Sequence, residues 1–249
     1  MLAESLSRAS IFAALKSRRC YGTTGPRIDL AFEIEGHAMG SLLEWKREMR
    51  VEASVAGTAP IESLALYRGK EVIESFRPAA FATSAASRRI RVRWQGSRIR
   101  GRGRRVTWDG AIHVTGATIE LAMPHSFDSP ADGIVSQTAS EVAFTSGTTG
   151  DVDGIDLWLD QASSGTLEFD SKAGSCSLDL AQLTTEPLCF DFGGLGIRLC
   201  VERYPEVLTA VDAALSTMVS PAKGETTPYF VKAVQEDGHM AWSSPIYVG

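Results

Sequence analysis

The sequence predicts a mainly β protein, with antiparallel β-sandwich(es) preceded by one short N-terminal helix. Three observations carry this. Short apolar runs alternate with polar residues at a period of two along most of the chain, the pattern of half-buried strands. Those runs are broken by turn-forming residues, with 23 glycines and 10 prolines among 249 residues. Many short strands between such turns indicate a sandwich or barrel. Finally, helical spacing without a competing alternation occurs near the N-terminus.

The helix is expected over Ser10–Arg19. Ile11, Ala14 and Leu15 form an apolar stripe at i, i+3 and i+4. Ser7 or Ser10 can cap it through the hydroxyl, and Gly22 and Gly25 stop it. Ile28, Leu30, Phe32 and Ile34 then alternate with polar residues up to Gly36, and Met49, Val51, Ala53 and Val55 make a second strand. Ile61, Leu64 and Leu66 lead through Arg68-Gly69-Lys70 into Val72 and Ile73, a hairpin signal. The Ala- and Ser-rich stretch 76–87 reads as a loop. Further strands are expected over 90–94, 111–121, 141–145, 155–160, 166–170, 175–180, 196–202, 229–235 and 241–248. Val207, Leu208, Val211, Leu215 and Met218 have helical spacing, but the same region also alternates, so periodicity leaves it open between helix and strand. By domain, the reading is a helix and turn over 1–27, then a β-sandwich region over 28–249, divisible near 77–88.

At 44% hydrophobic and 22% charged residues, the composition is that of an ordinary globular domain. No apolar run approaches the roughly 20 residues that span a bilayer, so no membrane partner is expected. The N-terminus lacks an apolar signal core, and a cytoplasmic location is the expectation if the chain is complete. Cys20, Cys176, Cys189 and Cys200 are widely spaced without C-x-x-C, which argues against zinc or redox chemistry and for free, buried thiols.

The net charge is −5, yet Arg88, Arg89, Arg91, Arg93, Arg98, Arg100, Arg102, Arg104 and Arg105 fall in one stretch without an acid, leaving −14 for the remainder. Arg98, Arg100, Arg102, Arg104 and Arg105 are candidates for an anion-binding patch. The preferred reading is a solvated strand face and basic loop paired within the molecule. The acidic balance argues against nucleic acid.

Catalytic patterns are sparse. His37, His113, His125 and His239 are the histidines, and they form neither H-x-H nor H-E-x-x-H. A catalytic metal site generally needs three protein ligands, usually including His, so no metal ligand is assigned. There is no G-x-S-x-G elbow. Gly193-Gly194-Leu195-Gly196 precedes no helix pattern that would hold a phosphate. Asp151-Val152-Asp153-Gly154-Ile155-Asp156 superficially resembles a calcium loop but misses the EF-hand spacing. It reads better as a strand with Asp156 and Asp160 facing water.

Several segments together resemble a known family. The run Ile11 to Gly25, containing Arg18-Arg19-Cys20-Tyr21-Gly22-Thr23-Thr24-Gly25, resembles a segment near the end of the catalytic domain in PHP-like (polymerase and histidinol phosphatase-like) metallohydrolases. Gly36 with Met39-Gly40, Ala59-Pro60-Ile61, Arg104 to Gly110, Gly154 to Asp160 and Trp242 to Val248 resemble the downstream pattern of an uncharacterised branch of that family, one labelled only as a domain of unknown function. The resemblance implies that the family's metal-binding domain is missing from this chain, so that 1–27 is its remnant. A divalent metal would then belong to that missing domain, and no cofactor is expected here. It implies an extended conformation for 205–220. Arg18, Arg19 and Tyr21 are the candidates for facing a ligand.

Three functions compete. The first is a non-catalytic accessory β-sandwich that packs beside a PHP-like hydrolase domain, with Ile11, Phe12 and Leu15 as a docking face and either that domain or a second copy of the chain as partner. The second is a free-standing module for carbohydrate or anionic ligands, for which Trp45, Trp94, Trp108, Trp158 and Trp242 could supply stacking platforms. The third is a metal-dependent phosphoesterase-type hydrolase, which requires the histidines to converge or a catalytic partner to be supplied.

Overall fold

The computed structural model describes residues 2–82, 84–96 and 105–249. The chain is mainly β, and its strands pair antiparallel apart from Ile246–Val248, which runs parallel to Leu42–Leu43. It divides into two compact units. The first comprises Met1–Pro78 and Leu208–Gly249, and the second, Ala79–Val207, is inserted between them in sequence.

In the first unit the helix spans Arg8–Lys16, with the Ser7 hydroxyl accepting from the Ser10 amide at 3.2 Å. A seven-stranded sheet is centred on Thr227–Gln235, flanked by Met240–Ser243, Ile246–Val248 and Ile61–Arg68. Ile61–Arg68 turns through Gly69-Lys70 into Glu71–Phe76. A four-stranded sheet runs in the order Asp212–Val219, Met49–Ala56, Asp29–Ile34, His37–Ala38. Met49–Ala56 alternates buried and exposed throughout, and its inward residues join Leu30, Phe32, Leu215, Tyr229 and Val231 in one core. The ambiguous region 205–220 resolves as strand Asp212–Val219, because its alternate residues Ala213, Leu215 and Val219 complete that core while Met49–Ala56 supplies the ladder.

The end of the helix is tied to the sheet region through Gly40. Arg18 adopts φ +58° and donates from Nε and Nη2 to the Gly40 carbonyl at 3.2 and 3.0 Å. Gly40 has φ +90°, and a Cβ there would lie 2.4 Å from the Ser17 carbonyl oxygen. Only glycine accommodates both constraints.

The second unit contains two five-stranded sheets. One is ordered Gly133–Gln137, Glu141–Thr145, Gly110–Thr115, Thr166–Ser171, Gly174–Asp179. The other is ordered Ile119–His125, Val152–Leu159, Arg89–Gln95, Ile197–Tyr204, Leu188–Gly193. Ile90, Val92 and Trp94 share a core with Phe144, Leu157 and Phe169. Trp94 stacks on Phe144 with ring centres 4.6 Å apart. The single strand expected over 111–121 is in fact two strands in different sheets. They are broken at Gly116, whose φ of +84° turns the chain between layers.

Cys189 and Cys200 are not free thiols. They lie opposite each other in the register of Leu188–Gly193 and Ile197–Tyr204 and form a disulfide, whereas Cys20 and Cys176 are free. Nor is the 89–93 face solvated, since Arg89 and Arg91 are both buried.

The disulfide closes a loop of 11 residues of sequence separation at a sheet edge. Replacing Cys189 by Ser should lower unfolding stability by about 2–3 kcal/mol, from the restored freedom of the unfolded chain. Denaturant titration checks this, and thiol counting on the unfolded wild-type protein should find the two free thiols of Cys20 and Cys176.

Candidate functional site

The chemistry-bearing side chains of the second unit gather in two places. The first is the face of Arg89–Gln95 opposite its core side. Because Arg91 pairs in register with Asp156 on one side and Glu202 on the other, like and unlike charges are interleaved across three strands. Arg91 clasps Asp156 from Nε and Nη2 at 2.7 and 2.8 Å, and Arg89 Nη2 reaches the same carboxylate at 2.5 Å. Arg93 pairs with Glu202. The Arg91 guanidinium stacks 3.6 Å from the Tyr204 ring centre, and Arg89 packs against Trp158 and Tyr204 at 4.5 and 4.6 Å.

Burial alone would raise the Asp156 carboxyl. The hydrogen bonds and charge of Arg91, with the charge of Arg89, outweigh it and hold the group at about 2. Asp156 is buried and does not face water, contrary to expectation. Asp160 does, and it accepts from the Thr118 and Gln161 amides. Buried His125 has its pKa well below the ordinary value, first through desolvation and then through the charge of Arg91. It is a neutral imidazole at the edge of a cationic lattice.

The second place lies at one end of the same sheet. Ile119–His125 and Val152–Leu159 are paired, with His125 opposite Gly154. The loop after the first strand therefore brings Asp128 to the start of the second, where Asp151 and Asp153 sit. One carboxylate oxygen from each of Asp128, Asp151 and Asp153 lies within 4.8 Å of the others. Asp153 is 0% exposed. Its Oδ2 accepts from Ser146 Oγ at 2.6 Å, and that hydroxyl accepts from Trp94 Nε1 at 2.7 Å. Its Oδ1 is buried without a hydrogen-bond partner. Burial, with the charges of Asp151, Asp132 and Asp128, pushes Asp153 up to about 7 against the pull of the Ser146 hydrogen bond. Neighbouring Asp132 is otherwise engaged, by Arg105 at 2.9 Å and the Gly147 amide at 3.2 Å.

Residues singled out from the sequence are dispersed. Arg18 is bound to Gly40, Arg19 is exposed, and the Tyr21 hydroxyl donates to Asp29 at 3.4 Å. Arg105 ion-pairs with Asp132, while Arg98, Arg100, Arg102 and Arg104 lie outside the described residues. His37 Nδ1 sits 3.0 Å from the Glu35 carbonyl, His239 Nδ1 3.0 Å from Thr24 Oγ1, and His113 Nδ1 3.3 Å from Glu141. Among the described residues, the one group of three or more potential metal ligands is the aspartate cluster, which contains no histidine or cysteine. Trp94 and Trp108 are core residues, and Trp45, Trp158 and Trp242 are half-buried. Sequence reasoning did not find the role of Asp128. Its only signal was the short Asp-x-Asp at 151–153, which needs a third ligand from a distant loop.

No family model matches the chain, and no solved structure matches it. It is 36% identical over 84 residues to an uncharacterised protein of Chlamydia pneumoniae and 34% identical over 84 residues to one of Chlamydia trachomatis serovar D. Each match takes in 31% of this chain and 14% of the relative, so the chain covers a small part of proteins much longer than the matched segment.

Replacing Asp156 by Asn removes the carboxylate that Arg89 and Arg91 share, and should cost about 3 kcal/mol or more of stability. The wild-type contribution is present above the unfolded carboxyl value of about 3.9 and is lost as pH falls through about 2. Acid unfolding of the variant should therefore depend less on pH in that window, as followed by circular dichroism.

Proposed function

We propose that this chain is a non-catalytic accessory β-sandwich region that packs beside, and stabilises, a metal-dependent hydrolase domain of PHP-like type. The observation that carries this reading is the N-terminal helix. Ala14 is its buried residue, while Leu6, Phe12 and Leu15 are 98%, 66% and 51% exposed on or beside it. Large apolar side chains gathered on one short element mark a surface that a partner covers. Phe12 and Leu15 stand three apart on a helix, so they share a face. The occupant this reading commits to is the catalytic domain itself. The much greater length of the chlamydial relatives supports a setting of that kind.

The dispersal of the histidines supports a non-catalytic role. A hydrolytic centre of the usual type combines His with carboxylates around an open coordination position, and each histidine here is engaged elsewhere or held neutral among arginines. The dispersed, half-buried tryptophans give no stacking platform that would favour the binding-module reading.

The purified chain, supplied with Mn²⁺ or Zn²⁺, should not turn over p-nitrophenyl phosphate or bis(p-nitrophenyl) phosphate. Turnover at one active site per chain would overturn the reading. The double substitution Phe12→Ser with Leu15→Ser should reduce binding of an apolar fluorescent dye while leaving the melting temperature unchanged. A large fall in melting temperature would instead mean that these side chains belong to the chain's own core.

A further inference from the structure

We infer that Asp128, Asp151 and Asp153 form a binding site for one divalent cation of the calcium class at the end of the second unit's sheet. This inference does not depend on the accessory-domain reading.

Three carboxylates from two separate segments converge so that one oxygen of each lies within 4.8 Å of the others. Calcium takes oxygen ligands at about 2.3–2.6 Å, so oxygens sharing one ion lie up to about 5 Å apart, and these three fall within that limit. The donor set is all carboxylate, without His or Cys, which selects a hard cation over zinc or copper. Calcium takes about 6–8 ligands, and exposed Asp128 leaves the outer side of the cluster open to water for the remainder.

The independent observation is the state of Asp153. Its side chain is fully buried, and Oδ1 has no hydrogen-bond partner. A buried polar atom left unsatisfied costs about 1–3 kcal/mol, and more for a charged group. Asp153 cannot rotate away to relieve this, because Oδ2 is held by Ser146 Oγ, which is held in turn by Trp94 in the core. A water molecule, or a proton on Asp153, could satisfy that oxygen, but either would leave Asp128 and Asp151 side by side without a bound cation. A divalent cation answers both demands.

Among the described residues, the neighbouring cation does not fill this role. Arg105 binds Asp132, which is also fixed by the Gly147 amide. Asp132 therefore takes the direct ion pair of Arg105, and among the described residues no cation is bonded to Asp128, Asp151 or Asp153. Binding would join the loop carrying Asp128 to the start of Val152–Leu159, adding a clamp across the open end of a strand pair.

The test uses the full chain, stripped with a chelator and desalted, and titrated with Tb³⁺ under tryptophan excitation. Trp94 is two hydrogen bonds from Asp153 and serves as the energy donor. One saturable site per chain is expected, displaced by Ca²⁺, with calorimetry giving the same stoichiometry and Ca²⁺ raising the melting temperature. Asp128→Asn should weaken Ca²⁺ binding by about tenfold or more without lowering the melting temperature of the metal-free chain, since it removes one of the clustered charges. Asp153→Asn should abolish binding. Because that residue is buried, the exposed Asp128 variant carries the test if the Asp153 variant misfolds. Exposed Glu168, on strand Thr166–Ser171, serves as the control, and Glu168→Gln should bind as the wild type does. Absence of saturable binding at millimolar Ca²⁺, or binding of equal strength in the Asp128→Asn variant, would overturn the proposal.

Discussion

The second unit depends on a strand that is buried on both of its faces. Arg89–Gln95 lies in the middle of its sheet and sends Ile90, Val92 and Trp94 into an apolar core. On the opposite face it carries Arg89 and Arg91, which are also withdrawn from water, and the half-buried Arg93. Buried guanidinium groups are tolerated only where carboxylates and ring faces replace their hydration. Asp156 and Glu202 provide the charge, and Tyr204 and Trp158 provide the rings. The neighbouring strands must therefore keep one register. Sliding either by a single residue would turn its acid into the apolar core.

The outer pairings of the same sheet place more distant features. They set Gly154 opposite His125 and Cys200 opposite Cys189. The first of them brings the loop bearing Asp128 to Asp151 and Asp153. Trp94 contributes from the core side, because its indole N–H holds Ser146, and Ser146 holds Asp153. The same strand thus organises an apolar core, a charged layer and the acidic cluster at its end. Buried Arg203 adds a further constraint, since its guanidinium gathers the carbonyls of Ser87, Leu180 and Leu183 into one place.

The first unit is arranged differently. Its centre, Thr227–Gln235, is stabilised by apolar packing and by sheet neighbours drawn from both ends of the chain. The N-terminal helix has one buried residue, Ala14, which lies outside that core. Its end is tied down by the Arg18–Gly40 bond. An element anchored by its end, with its large apolar side chains outward, is suited to contact rather than to stabilising its own unit. This is the physical basis of the docking role proposed for it.

By itself the sequence determined the β class, the short helix and most strand positions, because alternation and turn residues are local properties. Met49–Ala56 and the Gly69-Lys70 hairpin are legible from neighbouring residues alone. The tertiary structure decided what depends on pairing between distant segments. Alternation shows that Arg89, Arg91 and Arg93 share a face but not that acids on two other strands bury it. The turn at Gly193-Gly194-Leu195-Gly196 was readable only as a glycine run until its flanking strands set Cys189 against Cys200. Asp212–Val219 is a strand because Met49–Ala56 offers it a ladder, where its own periodicity allowed two answers. Asp128 and Asp153 are 25 positions apart in a sequence rich in acids, and only the register of two paired strands makes them neighbours.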